Sequence, residues 1–170
     1  MKLITLDFET YYDQEYSLSK MTTEEYIRDP RFEVIGLAIK VDDGETMWGS
    51  GTHEQIKRWL HTFDWSDAML VAHNTLFDGA ILSWVFDVHP KALADTLSMG
   101  RALDGVDVGG SLAAMSKRYG LGEKGTEVIN AKGKRRADFA EGELSRYGDY
   151  CINDVELTHK LFRRMAPTFP

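Results

Sequence analysis

A chain of 170 residues, 43% of them hydrophobic, can bury a core, and its length falls within the usual range of one domain. Its net charge of −7 argues against a broad basic surface for nucleic acid, although acids gathered around bound cations would reverse the field locally. No stretch is long and apolar enough to span a membrane, the start lacks a signal-peptide pattern, and the single cysteine, Cys151, excludes an internal disulfide, so one cytoplasmic domain over 1–170 is expected.

Lys2-Leu3-Ile4-Thr5-Leu6-Asp7-Phe8 reads as a buried strand. Side chains alternate between faces, so Asp7 and Glu9 share one face at its end. Two such carboxylates repel and lose hydration. A hard divalent cation relieves both costs, while solvated strand-end acids are the plain alternative.

A Tyr-rich polar segment follows, Tyr11 to Met21, then a helical turn over Thr22–Ile27 that Pro30 ends. Glu33–Val41 and Glu45–Trp48 flank the turn Asp42-Asp43-Gly44 and form a hairpin. Thr52 to Gln55 matches a capping box, and Ile56, Trp59, Leu60 and Phe63 give the next helix its apolar face. Met69–Ala72 is a short buried strand. The helix beginning near Leu76 turns Phe77, Ala80, Ile81, Trp84 and Val85 inward and stops by Pro90. Ala92–Asp95 is a fifth strand, with helical signal from Ser98 onward. Ser111 caps Leu112–Tyr119, and Gly120 stops it.

Gly122–Ala137 is rich in glycine and lysine and reads as an exposed loop. The last helix runs from about Glu141 to Met165, with an apolar stripe of Leu144, Tyr147, Cys151, Val155, Thr158, Phe162 and Met165. Three strands, then alternating helix and strand, then helices predict a mixed α/β sheet flanked by helices.

Three segments carry chemistry: Asp7-x-Glu9, Asn74-Thr75-Leu76-Phe77-Asp78 at a strand-to-helix junction, and Tyr150-Cys151-Ile152-Asn153-Asp154. Strand ends that feed helices are where α/β sheets place ligands. A spacing of four puts Tyr150 and Asp154 on one helix face, bordering the stripe. In order and spacing these segments resemble the three motifs of the DEDD (DnaQ-like) superfamily of 3′–5′ exonucleases. The match is to its tyrosine subclass, and is most similar to proofreading domains of phage and prophage family A DNA polymerases. The histidine subclass would need His where Asp149 stands.

The resemblance implies a ribonuclease H-like fold, three antiparallel strands followed by two parallel ones. It implies catalysis by Asp7, Glu9, Asp78, Tyr150 and Asp154, with the four acids holding two divalent ions, Mg²⁺ or Mn²⁺. Asp7 would bridge both ions, Glu9 and Asp154 complete the first, and Asp78 hold the second. A phenol is a weak base at neutral pH, so Tyr150 would orient the attacking water. The substrate would be a single-stranded or frayed DNA 3′ end, and the product a nucleoside 5′-monophosphate. A polymerase domain in cis is compatible with this. An exoribonuclease of the RNase D type is the nearest rival, and a non-catalytic nucleic-acid-binding module a rival of another class.

Substrate contacts are expected from Phe8, Thr10, Asn74 and Phe77, with Phe77 a core residue first. Leu18 and Met21 would wedge between terminal bases, as the resemblance implies. Lys124, Lys132, Lys134, Arg135 and Arg136 form a basic cluster, readable as a solvated loop or as an arm on the phosphates. His73 reads as a satisfied histidine, Asp95 as a cap or supporting acid, and Cys151 as a small buried apolar residue. The four tryptophans read as packing residues.

Overall fold

A computed structural model describes residues 1–125 and 129–170; Thr126, Glu127 and Val128 of the Gly122–Ala137 stretch lie outside the described residues. The centre is a five-stranded sheet in the order β3-β2-β1-β4-β5. Its strands are β1 (Lys2–Thr10), β2 (Val34–Val41), β3 (Met47–Gly49), β4 (Ala68–Ala72) and β5 (Ala92–Asp95). β1 pairs antiparallel with β2 and parallel with β4, while β3 and β5 form the edges. This is the sheet expected from the order of the elements.

Around it lie α1 (Thr23–Arg28), α2 (His53–Leu60), α3 (Thr75–Ala80), α4 (Thr96–Asp104), α5 (Leu112–Arg118) and α6 (Glu141–Met165). Thr22, Thr52 and Ser111 cap α1, α2 and α5 through their hydroxyls, with a full capping box at α2. α4 begins two residues before Ser98 because Asp95 caps it, its Oδ1 accepting from Leu97 N at 3.1 Å. Among the described residues no helix is long and apolar enough to cross a membrane.

One expectation is corrected. Trp84 does not turn inward; it is 45% exposed, with the Arg28 guanidinium 4.4 Å from its ring centre. After Ala80 the helix widens into a π-helical turn, Ile81–Val85, which changes the angular step per residue. Leu82 and Phe86 are fully buried as a result, while Val85 packs at the margin of the core.

The Tyr-rich segment after β1 is also more deeply built than a polar loop. Tyr16 and Tyr26 are buried and stacked with ring centres 4.5 Å apart. The Tyr16 hydroxyl donates to the Tyr26 carbonyl, and that of Tyr26 to the Tyr11 carbonyl. Each phenol thereby finds an acceptor inside the core.

α6 lies across β1 and β2, and two glycines set its distance. Trp48 of β3 fills the space over Gly36 of β2 and Gly148 of α6; a Cβ on either would stand 2.5 or 2.6 Å from the indole. Removing both Cβ atoms lets one ring sit between helix and sheet, with the middle of α6 over the end of β1.

Candidate active site

β1 outruns β4. Their pairing ends at Thr5 and Val71, so Asp7 to Thr10 extend beyond the parallel neighbour. The amide of Phe8 there meets Asp78, whose Oδ1 accepts from it at 3.0 Å. Asp78 lies in the first turn of α3 and is 2% exposed. On the other side, the pairing with β2 shifts register between Glu9 and Thr10, a bulge that re-aims side chains next to the acid pair.

α6 closes the site. Tyr147 donates its hydroxyl to Glu9 Oε2 at 2.9 Å, and the Cys151 thiol lies 3.5 Å from Asp7 Oδ2. Asp154, one turn further, is 6% exposed. Its Oδ2 lies 3.4 Å from Lys124 Nζ, and its Oδ1 has no hydrogen-bond partner among the described residues. The Lys124 ammonium also stands 5.2 Å from the ring centre of Tyr150, which is half-buried on the same face of α6.

The electrostatics follow from this crowding. Burial, and then the charge of Asp154, pushes the Asp7 pKa up to about 6. Glu9 and Asp78 are raised by burial and by the charge of Asp7. Asp154 is raised by burial, which Lys124 only partly offsets. Buried carboxylates that disfavour one another's charge are a poor structural device but a good receptor for divalent cations. The unpartnered Asp154 oxygen fits the same donor set. Asp7, Glu9, Asp78 and Asp154 are thus the residues that would hold such ions.

The structure places the other expected residues as follows. The Phe8 ring faces the core, stacked on Phe86 at 5.8 Å, on the opposite side of β1 from the acids. The Thr10 hydroxyl bonds the Tyr26 hydroxyl at 2.8 Å. Asn74 is exposed, and its φ of 73° is uncommon outside glycine. Asp95 holds that turn, its Oδ1 accepting from Asn74 N at 2.8 Å. Phe77 packs at the core margin, 6.0 Å from the Tyr26 ring. Leu18 is 45% exposed, whereas Met21 packs against the core.

His73 is satisfied, bonded to the Thr96 hydroxyl and the Gly110 carbonyl. Of the basic cluster, Lys132 is exposed. Lys134 pairs with Glu143 at 2.7 Å, and Arg135 lies over the Tyr11 ring and donates to the Arg31 carbonyl. Arg136 bonds Ser50, and its backbone amide donates to Glu33. Arg135 and Arg136 thus tie the stretch to the protein body.

Tyr147 and Cys151 reach the site although the sequence reading assigned both to the apolar stripe of α6. Their spacing from Asp154, seven and three residues, puts all three on one helix face and was the available signal.

The sequence matches no protein-family model and no curated protein sequence. Its fold, however, is that of ribonuclease H-like exonucleases. Brucella melitensis NrnC superposes with a TM-score of 0.65 at 16% identity, covering 97% of this chain and 72% of that one. Trypanosoma brucei RNase D in complex with RNA U12 gives 0.71 at 14% identity, covering 96% and 55%. The family B DNA polymerase of Pyrobaculum calidifontis gives 0.69 at 17%, covering 98% of this chain and 25% of the polymerase. At these identities the likeness establishes the fold and leaves chemistry to the site.

Proposed function

We propose that this chain is a metal-dependent 3′–5′ exonuclease of the DEDD superfamily, tyrosine subclass. It removes nucleoside 5′-monophosphates from single-stranded or frayed DNA 3′ ends, in the manner of a proofreading domain. The observation that carries this reading is the convergence of Asp7, Glu9, Asp78 and Asp154 from three distant segments into one buried cluster, with each carboxyl pKa raised. Two bound divalent ions, Mg²⁺ or Mn²⁺, would supply Lewis acidity at the terminal phosphodiester and an acidified water.

The protein's own groups do the rest. Tyr147 fixes the Glu9 carboxylate through its hydrogen bond, and the Phe8 amide fixes that of Asp78. Tyr150, one turn from Asp154, orients the attacking water. Asn74 and Phe77 border the terminal nucleotide, and exposed Leu18 contacts its base. Replacing Asp7 by Ala should abolish Mg²⁺- or Mn²⁺-dependent shortening of a 3′ end. Full activity in that variant, or in excess chelator, overturns the reading.

An RNA substrate is the second reading, favoured by the fold shared with RNase D, which was determined in complex with RNA. Matched DNA and RNA oligomers digested side by side decide between the two, since the 2′-hydroxyl is the discriminating group.

A further inference from the structure

Cys151 sits at the floor of the acid cluster. Its thiol is fully buried, with Sγ 3.4 Å from the Asp7 carbonyl oxygen and 3.5 Å from Asp7 Oδ2. One donor atom each from Asp7, Glu9 and Cys151 lies within 4.8 Å of the other two. A tetrahedral ion bonded to oxygen and sulfur at about 2.0–2.3 Å holds those donors roughly 3.5 Å apart. The Asp7–Cys151 pair already stands at that separation, and Glu9 completes it by a side-chain adjustment.

A second observation points to a cation independently. Asp154, three residues along the same helix face, is buried with one carboxylate oxygen unpartnered, and its charge acts on Asp7. Magnesium gains little from sulfur, whereas thiophilic ions favour it. Four oxygen donors alone would not distinguish these ions; the thiol does.

We propose that Asp7, Glu9 and Cys151 form a site for a thiophilic divalent cation such as Zn²⁺, and that its occupation keeps Asp7 and Glu9 from serving a hard ion. On coordination the thiol proton passes to solvent and a sulfur–metal bond forms, with no change in oxidation state. The proposal rests on reading Asp7 and Glu9 as metal ligands. It makes the thiol a selector against the working ion.

Cadmium is the probe, because thiolate-to-cadmium charge transfer absorbs in the near ultraviolet. Cys151 is the only cysteine, so the band reports this position alone. The full chain should give a saturable band at one equivalent, displaced to higher cadmium concentration by excess Mg²⁺. In D7N the midpoint should weaken by about tenfold or more; if D7N does not fold, E9Q gives the same readout. C151S, followed by calorimetry, should lower the ratio of Cd²⁺ to Mg²⁺ affinity by about tenfold or more.

No band in the wild-type protein, an unchanged midpoint in the folded carboxylate variant, or an unchanged ratio in C151S overturns the proposal. Failure of the nuclease reading appears separately, as an absence of metal-dependent cleavage in a protein that still gives the cadmium band.

Discussion

The same helix buries polar groups against the sheet in two places, and the two are built in opposite ways. Where α6 faces the lower part of β1 and the hairpin, every group has a partner. Lys40 Nζ donates to Glu156 Oε1 at 3.1 Å and to the Gly44 carbonyl at 2.7 Å, and the Thr46 hydroxyl donates to the same Glu156 oxygen. His159 bridges Thr5 and Asp43. Burial pushes the Glu156 pKa up, but Thr46 and Lys40 outweigh it, so its pKa is lowered. Two turns or less earlier on the helix, Cys151 and Asp154 border acids whose pKa values are all raised. Opposite charges are matched at one place and like charges gathered at the other. Only the second arrangement requires something from outside the chain.

The largest expected effect tests that requirement. With Mg²⁺ at a hundred times its dissociation constant, the folded protein should gain about 2.7 kcal/mol, read as a rise in Tm. D7N should lose most of that gain. An unchanged Tm at saturating Mg²⁺ would make the acid cluster as self-sufficient as its neighbour and erase the contrast. Next comes the matched region. E156A should lower stability by about 2 kcal/mol in urea unfolding, because Lys40 is left buried with less than its full set of partners. The Gly44 carbonyl remains to it, and Glu156 is partly in water, which keeps the loss below that of a fully buried pair. Mg²⁺ should stabilise E156A as much as it does the wild-type protein. A failure to do so would mean that the two regions are coupled.

The acids were legible because two short-range rules place them. Strand alternation puts Asp7 and Glu9 on one face, and the four-residue helical step joins Tyr150 to Asp154. The sheet was legible because apolar runs and turns mark each strand. Tyr147 and Cys151 were hidden for a related reason. Helical periodicity says that a residue faces the sheet, but not what the sheet presents there, and at this point β1 presents carboxylates. Lys124 was hidden by distance in sequence: a loop residue thirty positions before Asp154 meets it only through tertiary folding. Trp84 was misplaced because a 3.6-residue period was carried through a π-helical turn that does not keep it.

The smallest effect is the most specific, and it separates the two regions by sign. D154N in the metal-free protein should raise stability, by about 1 kcal/mol near neutral pH. The substitution removes the Lys124 pair, which favours the wild type. Yet the Asp154 pKa is raised with Lys124 in place, so burial already outweighs that pair. Lys124 itself is 30% exposed along its side chain and can be rehydrated. The asparagine also relieves Asp7, on which the charge of Asp154 acts. The sign with pH is fixed. A carboxyl raised in the folded state binds its proton more tightly there than in the unfolded chain. Its contribution is therefore full below its ordinary pKa and is lost as pH rises through the folded value, about 6 for Asp7. The advantage of D154N should accordingly be small near pH 4 and grow through pH 6, while E156A stays destabilising across that range. Equal and pH-independent losses in both variants would show that Asp154 is held by structure and not by the demand for a cation.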